Sequence, residues 1–296
     1  MATLKNLTVD DTGFIKLPSG TTAQRPGSPS AGMMRYNTST GVTEYYDGSN
    51  WIFTTPPTTL SSAAAIVSAY PTAPDGIYTI NLPTVGSTPI YCAMSSTFAG
   101  GGGWMLAMKA TKGTTFSYSS SYWTSANVAN ETTQLNRNDA DAKFHVFNYY
   151  TASKFLAWFP QNSSGGTGPN NGGMTSGAGS GWHWLVTGQN STALNRFQTS
   201  TQIVSNPRDS GSSWIGSGFS NQVGYQSWDF NYTGNANASV RWGFGWNNEN
   251  EQASNDVSGG IGMSGNYSSF SAGDKIGCCA GTTGFNTSCR VEIWVQ

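Results

Sequence analysis

Hydrophobic and polar positions alternate through most of the chain. From Val240 the order is Val240, Trp242, Phe244 and Trp246 on one side, with Arg241, Gly243 and Gly245 on the other. That is the period of a strand with one face in a core. Shorter stretches of the same kind are 32–37, 42–46, 50–53, 75–80, 89–94, 104–109, 182–186, 212–215 and 225–230. Segments 121–123, 143–147 and 154–159 read as strands or buried segments, and 4–9 and 14–17 as strand-like. Pro18–Gly20, Arg25–Gly27, Thr38–Gly41 and Asp47–Gly48 carry turn chemistry between them. One stretch, 60–70, is Ala-rich and reads as a brief helix, either in a short parallel bundle about a three-fold axis or as a turn packed on the next domain. The long Gly/Ser/Asn run from Gln161 to Gly181 has no period, and no repeat of fixed length recurs. The pattern predicts a mainly β protein with some α+β character. Its parts are an arm (1–16), a small β-hairpin meander (17–55), a linker with a short helix (56–70) and one large domain (71–296).

Composition narrows the class. Charged residues make up 10% of the 296, yet 13% are aromatic, including 11 Trp, and 37 are Gly. Disordered chains are poor in rings, so the low charge points to a Gly-rich β protein with an aromatic core. A net charge of −1 without a basic block excludes the electrostatic footprint of a nucleic-acid binder. No apolar run is long enough for membrane insertion. Met1–Thr12 lacks the apolar core of a signal peptide, so the chain is expected in the cytosol or outside the cell as part of something larger. The meander buries too little to stand comfortably alone, and units of its size commonly need a staple or a second copy. Cys92, Cys278, Cys279 and Cys289 show no zinc spacing. They are read either as four thiols or as disulfide partners whose pairing the sequence leaves open.

Two pieces of candidate chemistry stand out. The strand ending at Trp246 runs into Asn247–Asp256, which holds three of the chain's fifteen acidic residues and five amide side chains, and Gly259–Gly260 follow. Such oxygens suit calcium, which takes six to eight of them. On its residues alone the loop reads equally as a solvated polar loop, and it lacks EF-hand spacing. Trp246, Tyr267 and Phe270 flank it in sequence and are candidate sugar-stacking rings. Enzyme chemistry is weakly supported. His145 and His183 sit in apolar stretches away from any nucleophile motif, and the carboxylate pairs available among Asp229, Glu249, Glu251 and Asp256 are of a kind found in almost any protein. The run Gly100–Gly103 lacks the Lys-Ser/Thr of a phosphate loop and reads as a tight bend before Trp104.

Two resemblances add function. The stretches GTTAQRP (20–26), GMMRYNTSTG (32–41) and YDGSNW (46–51) resemble a module of tailed-bacteriophage structural proteins, especially tail fibres and fibre-tip adhesins. That resemblance implies a homotrimer. DGIYTI, PIYCAM and GGGGWMLAMK resemble the opening of fibrinogen-like recognition domains. WNNENEQASNDVSGGIGM, GCCAGTTGFN and RVEIWV resemble the intelectin-type lectins and their microbial relatives. These families are lectin-like, often calcium-dependent binders. The resemblance implies calcium held by Asn248, Glu249, Asn255 and Asp256, with Asn247 and Glu251 in reserve. The combined expectation is a virion protein made in the host cytoplasm and carried on the tail or capsid exterior. Its arm would meet other virion structural proteins, and its fibrinogen/intelectin-like head would bind host-surface polysaccharide or glycoprotein without catalysis. The rivals are a capsid decoration or head fibre of structural role, and a polysaccharide-degrading tailspike.

Overall fold

The computed structural model describes residues 12–54, 60–99, 101–111, 113–159, 182–198, 203–205, 212–215, 225–231, 239–246, 257–264, 270–276 and 290–296. The chain is mainly β, with three sheets and a few short helices. It divides into two compact units, Met1–Thr58 and Thr59–Gln296.

The small unit is a four-stranded sheet in the order β1 (Ser19–Gly20), β2 (Met34–Asn37), β3 (Val42–Tyr46), β4 (Trp51–Phe53). The last three strands are the expected meander, and Gly41 closes the β2–β3 hairpin at φ +71°. Pro18–Gly20, expected as a turn, instead adds β1 parallel to β2, with Ser19 opposite Tyr36. Two backbone bonds secure it, from Tyr36 N–H to Pro18 O (2.8 Å) and from Thr38 N–H to Gly20 O (2.9 Å). Residues 14–17, read as strand-like, lie outside any strand.

The larger unit starts with α1 (Ala63–Ala69), N-capped by Ser62, whose Oγ accepts the Ala65 N–H at 3.1 Å. Ala63 and Ile66 are fully buried in this unit's core, so the Ala-rich stretch packs on the large domain. The glycine run before Trp104 makes room for it. A Cβ on Gly103 would lie 2.7 Å from Ala64 Cα, and one on Gly102 would lie 1.8 Å from Met94 O.

The main sheet of this unit runs β12 (Ser212–Ile215), β10 (Trp182–Ser191), β9 (Ala152–Phe159), β17 (Val291–Val295), β7 (Trp104–Ala110), β6 (Gly86–Ala93), β5 (Gly76–Leu82). The two-residue β8 (Ala142–Lys143) pairs with β7 beyond the end of its pairing with β6. β17, last of these in sequence, is central, with Ile293 opposite Met108 on one side and Ala157 on the other. A second, antiparallel sheet runs β11 (Ile203–Ser205), β13 (Tyr225–Phe230), β14 (Ser239–Trp246), β15 (Val257–Ser264), β16 (Phe270–Ile276). Phe230, Trp242, Ile261 and Ala272 take its inner side into one core with Phe155, Ile293 and Trp294 of the main sheet.

Two expected strands are not strands. Only Ala142–Lys143 of 143–147 pairs, and His145–Tyr149 is a short helix, α2. Its buried Phe144, Val146 and Phe147 form an apolar run too short for period to decide between helix and strand. Ser121–Trp123 is a 3-10 turn with Trp123 fully buried. Phe147 stacks on Phe197 of the third helix, α3 (Ala193–Gln198), at 5.6 Å. The run 161–181 and segment 4–9 lie outside the described residues.

Candidate functional site

The polar loop grows from the β14–β15 hairpin. Val240 and Trp242 are fully buried, and Trp242 packs against Phe230 at 5.2 Å. On the other face Arg241 donates to Asn231 Oδ1 (2.6 Å) and to the carbonyls of Tyr118 (2.8 Å) and Phe197 (3.3 Å), with its guanidinium 4.3 Å from the Tyr118 ring. Burial lowers its pKa and the Tyr118 phenol opposes this. Gly260 (φ +151°) lies opposite Gly243, and a Cβ there would meet Trp242 O at 2.3 Å, so the two backbones approach as only glycine allows. The hairpin is therefore a stiff base, and its last pair is Trp246 with Val257.

That pair belongs to a row. Tyr225, Trp246, Val257 and Ile276 are opposite one another in successive strands, so one end of the sheet gathers the chain entering β13, the β14–β15 connection and the chain leaving β16. Asn248, Glu249, Asn255 and Asp256, the expected calcium ligands, and Asn247 and Glu251 belong to that connection and lie outside the described residues. Among the described residues no group of three or more His, Cys, Asp or Glu is placed to hold a metal.

The three candidate rings do not share this end. Trp246 is at the base of the loop, whereas Phe270 is opposite Met263, six residues along β15 from Val257 and so roughly 20 Å away. Proximity in sequence misled here, because β15 runs the length of the sheet before Phe270 begins the return. Tyr267 lies outside the described residues. The register instead brings Tyr225 opposite Trp246, a residue that no local signal singles out.

Buried charge elsewhere in this unit works as construction. Glu292 of β17 is fully buried, takes a two-pronged contact from Arg137 (Nε 3.1 Å, Nη2 2.9 Å), pairs with Arg290 and accepts from Trp294 Nε1. Arg137 lies over the Trp158 ring at 3.3 Å. Lys143 is fully buried and donates to the carbonyls of Tyr122 (2.7 Å) and Ser125 (2.6 Å), with Phe147 at 4.7 Å. Burial pushes its pKa down to about 7. Lys109 holds Asn136 Oδ1 and Asn138 O, and burial, partly offset by Glu292, lowers it to about 8. Together these cations pin the 122–143 region to the main sheet. His145 pairs with Glu131 (3.3 Å) on α2. Side chains around His183 in β10 are not described. Cys92 is a free, fully buried thiol whose pKa is raised by burial and by Asp75, and Cys278, Cys279 and Cys289 lie outside the described residues.

The small unit offers a second functional surface, because its sheet is inside out. Arg35, Asn37 and Glu44 occupy the covered face. Glu44 accepts from Arg25 (Nη2 2.6 Å), Asn37 (2.9 Å) and Arg35 (3.4 Å). Burial pushes its carboxyl up, but hydrogen bonds from Arg25 and Asn37 and the charges of Arg25 and Arg35 outweigh it, and the carboxyl titrates below its usual range. The opposite face carries Met34 (47% exposed), Tyr36 (40%) and Tyr45 (37%), with Thr43 and Ile52 in the same rows. None of these is charged. A solvated sheet face is ordinarily its polar one, so this face has the composition of an interface.

No protein-family model matches the chain, and a comparison with curated proteins finds no match.

Proposed function

We propose that the protein is a structural protein of a tailed-bacteriophage virion, a tail fibre or fibre-tip adhesin that assembles as a homotrimer and binds host-surface glycans. The observation that carries this reading is the uncharged, apolar face left open on the small sheet while its charges are sealed beneath. That arrangement is self-consistent only if further copies cover the open face, and the motifs of the same unit resemble those of trimeric fibres. The larger unit is read as a fibrinogen/intelectin-type head. Its β14–β15 connection would supply calcium-held oxygens and Trp246 a stacking ring, on the stiff base set by Arg241, Gly243 and Gly260. Binding is non-covalent, and joining three weak sites on one axis raises avidity through effective concentration.

Light scattering on the full chain is expected to give the mass of three copies, and Tyr45→Arg with Tyr36→Arg to give monomers with unchanged β content. Calcium is expected to raise the melting temperature of the full chain, and Glu249→Ala with Asp256→Ala to abolish that rise. Gold-labelled antibody is expected at the tail tip, and added protein to compete with adsorption in a calcium-dependent way. Capsid labelling without competition would establish the decoration reading, and release of reducing sugar from host polysaccharide the tailspike reading.

A further inference from the structure

The trimer reading leaves two features of the small unit unused. Ahead of β1, Phe14 is 89% exposed and Ile15 65%, two adjacent large apolar side chains without cover. Beside the covered face lies a cleft of about 640 Å³ whose apolar walls are Pro18, Pro26, Met33, Met34 and Trp51. Its size is within the range of about 300–1,000 Å³ typical of pockets that take a ligand.

The topology puts these features close together without letting one copy join them. β1 runs parallel to β2 with Ser19 opposite Tyr36, so the chain before it leaves past the Met34 end of β2, where the cleft lies. Pro18 forms part of the wall, and Phe14 is only three residues beyond Leu17, on a segment directed away from the sheet. In one chain the apolar pair thus stands outside an apolar cleft. Charge does little to oppose a second copy. Residues 12–54 carry Lys16, Arg25 and Arg35 against Glu44 and Asp47, a net charge of only +1. Arg25 and Arg35 are both paired with the buried Glu44.

We infer that Phe14 and Ile15 of one copy insert into the Pro18/Pro26/Met33/Met34/Trp51 cleft of a neighbouring copy of this chain. This inference rests on the oligomer reading above and specifies one of its joints. The contact is heterologous, hook into cleft, and contacts of that type close into a ring when the rotation between copies allows. A ring built this way joins each copy to the next by its leading segment, while the open sheet face packs separately.

The test uses the full chain. p-Benzoylphenylalanine is introduced in place of Phe14, heavy- and light-isotope copies are co-assembled, and the photoproducts are mapped by mass spectrometry. Crosslinks are expected from position 14 to residues 26–34 or to Trp51, joining heavy to light peptides. Phe14→Ser with Ile15→Ser is expected to leave the fold unchanged by circular dichroism. It should raise the concentration at which the oligomer dissociates by roughly a hundred-fold or more. Crosslinks within one chain, or an intact oligomer crosslinked elsewhere or indifferent to the double substitution, overturn the hook and leave the oligomer standing. A monomeric unsubstituted protein overturns both.

Discussion

Lys143 gives the sharpest physical test of the large unit's interior. It is fully buried and held by two carbonyls, and burial is the only cause that brings its pKa from 10.5 to about 7. Between those values the unfolded chain binds a proton that the folded chain has released, so stability rises with pH across that window. From pH 7 to 9 the gain from Lys143 alone is about 2 kcal/mol. Lys109, lowered to about 8, adds about 1 kcal/mol in the same direction. A domain of this size shifts by about 2–4 °C per kcal/mol, so the melting temperature of the large unit should rise by roughly 6–12 °C. Lys143→Met should lower stability at every pH, because the Tyr122 and Ser125 carbonyls lose their donor. Its informative effect is on slope, which should fall to about a third of the parent's by the same linkage. Scanning calorimetry at pH 7, 8 and 9 measures both. A parent protein whose melting temperature is flat or falls over this range, or a Lys143→Met variant with the parent's slope, refutes the reasoning.

Glu44→Gln strips the buried Arg25–Arg35 pair of its counter-charge and should destabilise the small unit by about 3–5 kcal/mol, read as lost hydrogen-exchange protection at Arg35–Glu44. Because Glu44 titrates below its usual range when folded, its contribution is present above about pH 4.5 and should fade as pH drops through the lowered value. Gly102→Ala should abolish soluble folding, since the new Cβ would sit 1.8 Å from Met94 O; Gly76→Ala, with nothing within 4 Å, should change the melting temperature by little.

Period made much of the fold legible. Trp104–Ala110 is an unbroken apolar strand after a glycine run, and Val240 and Trp242 go inward as their alternation demands. What stayed hidden depends on pairing. Phe270 looked close to the polar loop because it follows β15 after a short connection, and no local signal says which end of a strand a later strand joins. β1 was disguised by Pro18–Gly20, whose turn chemistry is real but whose backbone has a free neighbour in β2 to bond with. In the small sheet the alternation of Met34 and Tyr36 with Arg35 and Asn37 was plain. Which face turned inward was not, because the usual rule puts the apolar face inside. Arg25, Arg35 and Glu44 reverse it by satisfying one another under the covering segment. The calcium expectation rests on residues that the structure does not describe, and its support remains the chemistry of the loop itself.

The central position of β17 bears on how the large unit is assembled in time. Until Val291–Val295 slots between β7 and β9, each of those strands has a bare hydrogen-bonding edge, and β17 must also bring Glu292 to Arg137 as it enters. The loop it closes reaches from Phe159 to Val291, and contacts this distant in sequence make for slow folding. Bare edges that persist are templates for pairing between chains. Renaturation yield should therefore fall steeply with protein concentration, and the three-fold assembly should follow this insertion rather than guide it.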